Sequence, residues 1–457
     1  MEKKLPEQFT KRMKEQLGDE AGLYFKSMEE PPVKALRLNM RKIKPVNYAQ
    51  MSRIFTGSDT PESVPWWPAG FYYDDKISPG RSPYHAAGAY YIQEPSAMLP
   101  VTVADIKPGQ KILDLCAAPG GKTTMIADLT EGDGLLVANE IIPSRASVLS
   151  ENIERLGVTN SLLTCADPTD LADRFPSFFD RIIVDAPCSG EGMFRKDETA
   201  VKEWSLENVM MCAKRQDTIL DSAARMLAPG GRIVYSTCTF SCEEDEGSVE
   251  RFLAGHPEFT LCEGAKKVYP HTIKGEGHFA AAFERKIKTA DTDHTGKSGQ
   301  DTFRNMRIGT EHMTILKDFI DQTFNDDSRI KKMILNGKER LIMFGDCVYL
   351  APEYMPDIKG LKVLRAGLKI GVLKKNRFEP DHALSHALVS DDIKNSIDLD
   401  PEGPEIRQYL SGMTVGCDSR MKGWCLVCTG GFAIGWGKAS GGVIKNHYPK
   451  GLRTVSA

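Results

Sequence analysis

The stretch Lys111-Ile-Leu-Asp-Leu-Cys-Ala-Ala-Pro-Gly-Gly-Lys-Thr-Thr124 decides the fold. A short apolar run ends in Asp114, breaks at Pro119-Gly120-Gly121 and gives way to helix-forming residues 122–129. This is a strand, a tight glycine turn and a helix start, an arrangement that brings backbone close to a nucleotide-like ligand. Downstream, strands 135–140, 161–166, 181–184 and 232–237 alternate with helices 143–156 and 206–227. Such alternation predicts an α/β fold with a mostly parallel sheet and ligands outside the carboxyl ends of the strands. Asp114, Glu140, Asp167, Asp185 and Cys238 all fall at those ends.

Two ligand classes compete for the turn. Gly121-Lys122-Thr123 is similar to the end of a phosphate-binding loop, and residues 182–185 to the Asp-ending strand of an ATPase. That loop needs glycine at position 116, where Cys116 stands, and Pro119 lies within it. A Cβ there, and a proline without N–H, both disfavour a cradle of amides for phosphate. Glu140 can instead accept ribose hydroxyls, and Asp167 an adenine amino group. S-adenosylmethionine carries an adenosine without phosphate, and a close turn flanked by carboxylates suits it. Each acid alone reads as a helix cap; the succession does not.

Asp185-Ala-Pro-Cys188-Ser-Gly190 and Tyr235-Ser-Thr-Cys238-Thr239 place two cysteines just past two successive strands. A lone strand-end cysteine is usually small apolar filler. Two beside an acid and a cofactor pocket point to covalent catalysis on an unreactive carbon, such as carbon-5 of cytosine. These two segments, with Asp114–Thr123, Tyr91-Ile-Gln-Glu-Pro-Ser96 and Gly275-Glu-Gly-His-Phe279, resemble the Nol/Nop/Sun family of RNA (cytosine-5)-methyltransferases over residues 30–285. Gly435-Trp-Gly-Lys438 and Lys445-Asn-His-Tyr-Pro-Lys-Gly-Leu-Arg453 resemble the PUA-like tail of its RsmF-like subgroup, which modifies small-subunit ribosomal RNA.

The resemblance implies a class I, Rossmann-type methyltransferase using S-adenosylmethionine, with 16S ribosomal RNA, free or in the 30S subunit, as substrate. By the resemblance, Cys238 is the nucleophile, Cys188 assists product release and Asp185 faces the base and supports its protonation. Lys122 touches the donor or the base. Cofactor contacts fall on Cys116, Ala117, Ala118, Pro119, Gly120, Gly121, Lys122, Glu140, Asp167 and Asp185. DNA cytosine methyltransferases use the Pro-Cys cysteine as nucleophile, and the residues alone leave both assignments open. A binding factor that kept the fold and lost turnover is the alternative; it has no need of either thiol.

The 457-residue chain exceeds one ordinary core. Residues 1–85 read as an N-terminal RNA-contacting lobe, 86–287 as the methyltransferase domain, 288–304 as a linker set off by the polar, aromatic-free stretch 286–300, 305–385 as an accessory domain and 386–457 as a PUA-like RNA-binding domain. Segment 386–398 looks helical. Residues 1–44 hold eleven Lys/Arg against seven Asp/Glu, residues 405–457 seven against two, and the segment between 41 against 53. Basic ends flanking an acidic middle suit a polyanion gripped from both sides, though such imbalances also arise on plain solvated faces. Eleven cysteines without paired spacing suit a reducing compartment. With no apolar leader and no run long enough for a bilayer, a cytoplasmic monomer without membrane contact is expected. Cys425-x-x-Cys428 lacks a second ligand pair and reads as filler, so no metal is expected. Packing is the default for Cys242, loop positions for His271 and His278, and core for Trp66, Trp67, Tyr72 and Tyr73.

Overall fold

The computed structural model describes residues 5–262, 265–287, 306–337 and 340–454. The expected linker at 288–304 lies outside the described residues. The chain is organised around a nine-stranded sheet. Its central strands are β1 (Lys111–Asp114), β2 (Leu135–Asn139), β3 (Ser161–Thr164), β4 (Phe179–Asp185), β5 (Leu227–Thr237) and β6 (His278–Arg285). They lie in the order 3-2-1-4-5-6, with all pairs parallel except β5 with β6. The class I methyltransferase architecture expected above is therefore present, and the order reverses between β1 and β4, where such sheets open a crevice.

Successive residues of these strands enter opposite cores, because side chains alternate across a sheet. Ile112, Leu136, Leu163, Ile183 and Val234 join one core; Leu113, Val137, Leu162, Ile182 and Ile233 join the other. Helices α1 (Gly121–Thr130) and α2 (Pro143–Arg155) bring Met125, Ile126, Leu149 and Ile153 to the first core. Helix α3 (Leu206–Met226) brings Ile219, Leu220 and Ala223 to the second. Each fully buried aliphatic side chain contributes about 1.5–3 kcal/mol, so both faces of the sheet are anchored.

The N-terminal lobe holds helices Glu7–Leu17 and Ala21–Met28, whose Phe9, Met13 and Tyr24 share a core with Phe194, Trp204 and Phe240, and a small antiparallel sheet of Gly70–Tyr72, Ala35–Leu38 and Tyr90–Ile92, which belongs to a different core. Phe9 wedges edge-on against Phe194 at 4.9 Å and Trp204 at 5.7 Å. Trp67 and Tyr72 are buried as the core reading expects, with Trp66 and Tyr73 packed against the same cluster. The strand residue Arg37 is buried completely and bridges the two lobes. It donates to Gln93 Oε1 (2.7 Å), Asp128 Oδ2 (3.0 Å), the Gly121 carbonyl (2.9 Å) and Thr124 Oγ1.

Beyond the central sheet, a four-stranded antiparallel sheet (Leu341–Phe344, Cys347–Leu350, Leu368–Lys374, Arg377–Pro380) packs with helix Thr310–Thr323. A five-stranded sheet follows, built from Ser396–Leu399, Val415–Gly416, Gly423–Thr429, Phe432–Ser440 and Val443–Asn446. Two features differ from expectation. Strand Val363–Ala366 leaves the accessory segment and pairs antiparallel with β3, covering that edge of the central sheet. Segment 386–398 is not a helix: one ends at His386, a turn spans Ser390–Asp392, and strand Ser396–Leu399 pairs parallel with Gly423–Thr429. Asp392 accepts the Val389 N–H at 3.0 Å, and such local side-chain bonds compete with a helix. Cys425 and Cys428 are buried in different cores, and no cluster of three possible metal ligands occurs among the described residues.

Arg37→Met leaves Asp128 buried with half of its charge pairing gone. Urea unfolding should register a loss of about 3–5 kcal/mol; a loss below about 1 kcal/mol would contradict a bridging role.

Candidate active site

The opening glycine turn joins β1 to α1. Its backbone is pinned by Ala117 N–H on the Asn139 carbonyl (2.9 Å), Arg145 on the Ala118 carbonyl (3.0 Å) and Asn152 on the Pro119 carbonyl (2.9 Å). The Ala118–Pro119 peptide is cis. Gly120 has φ +111°, and a Cβ there would sit 3.1 Å from Leu149 Cδ1, so the turn both demands glycine and lets α2 approach. Beneath it, Asp114 is fully buried and accepts a bond from Thr123 Oγ1 at 2.6 Å, while its other oxygen has no partner. Burial pushes this carboxyl up to about 7.

Over the carboxyl ends of β1, β2 and β4 lies a cavity of about 670 Å³, in the range of small-molecule sites. Cys116, Ala118, Glu140, Asp167, Asp185, Cys188 and Cys238 line it. Ala117, Pro119, Gly120, Gly121 and Lys122, expected as cofactor contacts, are not among the residues that line it. Glu140, buried just past β2, accepts the Ile142 N–H at 3.0 Å and faces Arg145 at 3.3 Å. Asp167 caps helix Pro168–Arg174 by accepting the Thr169 N–H at 2.8 Å, so this strand-end acid both caps a helix and faces the cavity. A cavity with two carboxylates beside the apolar side chains of Ile141 and Ile142 fits an adenosine with free hydroxyl donors.

At the other end of the cavity the two cysteine loops meet. Cys188 Sγ lies 3.2 Å from Cys238 Sγ, both as free thiols. The bond to Cys238, reinforced by burial, holds the Cys188 thiol well above its ordinary range. Lys122, in the first turn of α1, reaches under the cavity to place Nζ 2.7 Å from Asp185 Oδ2. Asp185 also accepts from Ser236 Oγ at 2.7 Å and faces His278 Nε2 at 3.5 Å. Burial works against its charge, but Lys122 and His278 prevail and hold it well below the carboxylate range.

Several participants were not anticipated. His278 is no loop residue: it opens β6, buried, with its ring turned to Asp185. The apolar run Phe279-Ala-Ala-Ala-Phe283 after it was the available signal. His271 sits in a turn, but its ring packs on Tyr24 and Tyr269 and meets Glu20 at 3.1 Å. Cys242 is exposed rather than packed. Glu244, buried, accepts from Ser189 N at 3.0 Å, from Ser189 Oγ and from Gln216 Nε2 at 2.9 Å, while Ser189 Oγ meets Thr239 Oγ1 at 2.8 Å. One carboxyl thus ties the residues that follow each cysteine. Nothing in the spacing marked it.

Burial pushes Glu244 up to about 7. Its folded form therefore holds a proton that the unfolded chain releases near pH 4.3, a difference that lowers stability as the pH rises to about 7. Glu244→Gln removes the linkage. Measured by urea unfolding, the stability of the variant relative to wild type should improve by about 3 kcal/mol between about pH 4.5 and about pH 7.5; a constant difference would contradict the raised value.

Four family models match the chain in order: the N-terminal domain of 16S rRNA methyltransferase RsmF over residues 5–95, 16S rRNA methyltransferase RsmB/F over 101–284, the RsmF rRNA methyltransferase first C-terminal domain over 323–388, and the methyltransferase RsmF PUA domain over 396–454. The ribosomal RNA small subunit methyltransferase F of Vibrio vulnificus is 32% identical, covering 98% of this chain and 97% of its own. That of Shewanella oneidensis is 32% identical over 94% of this chain and 92% of its own. A solved methyltransferase homologue from Pyrococcus horikoshii, 27% identical, superposes with a TM-score of 0.55 over 62% of this chain and 96% of its own. Matched from the N-terminal lobe to the PUA sheet, the chain belongs to the RsmB/F family of 16S rRNA methyltransferases, in its RsmF branch.

Proposed function

We propose that this chain methylates carbon-5 of cytosine in small-subunit ribosomal RNA, with S-adenosylmethionine as donor and Cys238 as nucleophile. The observation that carries the reading is the pair of free thiols 3.2 Å apart at the rim of a carboxylate-lined cavity, with Asp185 and Lys122 alongside. Family membership supports the ribosomal RNA substrate.

Carbon-5 of cytosine is a poor nucleophile until carbon-6 is attacked. Cys238 adds its sulfur to carbon-6, and the displaced electron pair moves toward ring nitrogen-3. There the Lys122–Asp185 pair acts: the carboxylate, kept ionised, accepts the exocyclic amine, and the ammonium supplies positive charge to the electron-rich ring. Glu140 and Asp167 would hold the ribose and adenine of the cofactor, with Cys116 and Ala118 forming the wall against it. When bound, S-adenosylmethionine supplies a sulfonium methyl group at the activated carbon-5. A base then removes the carbon-5 proton, the carbon–sulfur bond breaks and Cys238 leaves as thiolate. Cys188 assists that release. Cys188, held above its ordinary range by its contact with Cys238 and by burial, keeps a hydrogen beside the Cys238 sulfur. The cytosine must leave its stack to reach these strand-end loops.

Two variants separate the roles. With small-subunit RNA and S-adenosylmethionine, Cys188→Ala should accumulate a denaturant-resistant protein–RNA adduct, whereas Cys238→Ala should form none and lose methyl transfer by at least about a thousandfold. The reverse pattern would move the nucleophile to Cys188. Mapping of 5-methylcytosine in small-subunit RNA from cells with and without the protein should show a missing site; an unchanged map would sink the substrate assignment.

A further inference from the structure

A second cleft, of about 780 Å³, lies between helix Thr310–Thr323 and strand Arg377–Pro380 on one side and the five-stranded C-terminal sheet on the other. It shares no lining residue with the cysteine cavity. Trp424 lines it from strand Gly423–Thr429. The ring is held rather than loose: Trp436 meets it edge-on at 6.2 Å and His447 at 4.7 Å, and Trp436 is itself tied to the Asp381 carbonyl at 2.9 Å. Trp424 is only partly buried, and its indole N–H makes no hydrogen bond among the described residues.

Around this ring stand three exposed lysines, Lys422, Lys438 and Lys445. None forms an ion pair among the described residues, and the Lys438 ammonium sits 5.6 Å from the Trp424 ring centroid. Of the two acids lining the cleft, Glu379 is engaged by Arg377 at 2.8 Å, which leaves Asp318 against three lysines that have no ion pair among the described residues. Gln322 and Asn376 add amides, which can both donate and accept, on the wall opposite the sheet. A braced, half-open aromatic face with uncommitted cations around it and amide groups across from it matches the demands of a nucleotide. A free phosphate uses only the cations and an apolar ligand only the ring.

We propose that this cleft seats one unstacked nucleotide of the RNA substrate, its base against Trp424 and its flanking phosphates on Lys422, Lys438 and Lys445. The proposal rests on the RNA reading above and deepens it. The seat lies apart from the reacting cytosine, so it holds a neighbouring part of the RNA and fixes how the substrate is presented. Aromatic stacking tolerates any base, while the lysines make the contact sensitive to salt.

The test uses the full chain with transcribed 16S ribosomal RNA and a labelled single-stranded oligoribonucleotide. Trp424→Ala should weaken binding of both by about tenfold and raise KM for RNA by a similar factor, with kcat at saturating RNA unchanged. Trp424→Phe should restore most of the affinity, which a loss of packing alone would not require. The surface double variant Lys438→Glu/Lys445→Glu, remote from the core, should lower the slope of log affinity against log salt by about 1.4, the value for two phosphate contacts on a single strand. Variants that bind RNA like wild type with an unchanged slope, while wild type binds and methylates normally, overturn this site and leave the function standing. A wild-type chain that binds neither RNA overturns both.

Discussion

The in-register pairing of β4 with β5 is the constraint on which the site depends. Val184 lies opposite Tyr235 and Asp185 opposite Ser236, so both strands stop at the same level and release their loops side by side. Cys188 follows three residues beyond one partner and Cys238 two beyond the other, which is how two thiols 50 residues apart in sequence come within 3.2 Å. A one-residue slip would turn each strand's side chains to the opposite core and carry the loops apart. The register is locked because Ile182 and Ile233 belong to one core and Ile183 and Val234 to the other.

Charge is distributed around that junction with an evident logic. Burying a carboxylate is costly unless a partner compensates it. Asp185 has the Lys122 ammonium, with the His278 ring beside it, and stays ionised at the mouth of the cavity. Asp114 and Glu244 have only neutral hydrogen-bond donors, and burial pushes both up to about 7. Acids of the same kind thus hold different charge within one site, according to whether a cation or a hydroxyl faces them.

The parts of this architecture visible in the sequence were those that local pattern governs. Strands β1 to β5 are short apolar runs stopped by acids or cysteine, and Gly120 announces its turn. The family motifs, in order, pointed to the same cysteines and acids that line the cavity. What escaped depends on contacts distant in sequence. His278 becomes a partner of Asp185 only because β6 runs antiparallel beside β5. Glu244 matters because it holds Ser189, which in turn meets Thr239 of the other cysteine loop. Residues 386–398 carry apolar spacing suited to a helix, yet Asp392 and the pairing of Ser396–Leu399 with a strand from the C-terminal sheet prevail. Trp424 differs from core tryptophans in nothing but its surroundings.

Strand Val363–Ala366, laid along the outer edge of β3, has a consequence for how the protein can be divided. The catalytic sheet borrows its last member from chain that lies two hundred residues downstream. Cutting after the final catalytic strand would strip that cover and leave the backbone groups of Ser161–Thr164 open to any passing strand. The catalytic fold is therefore not a detachable module. An insertion or exchange that spares every residue of the cavity but displaces this strand would be felt as poor solubility of the whole chain, and the C-terminal half has to be inherited together with the enzyme it completes.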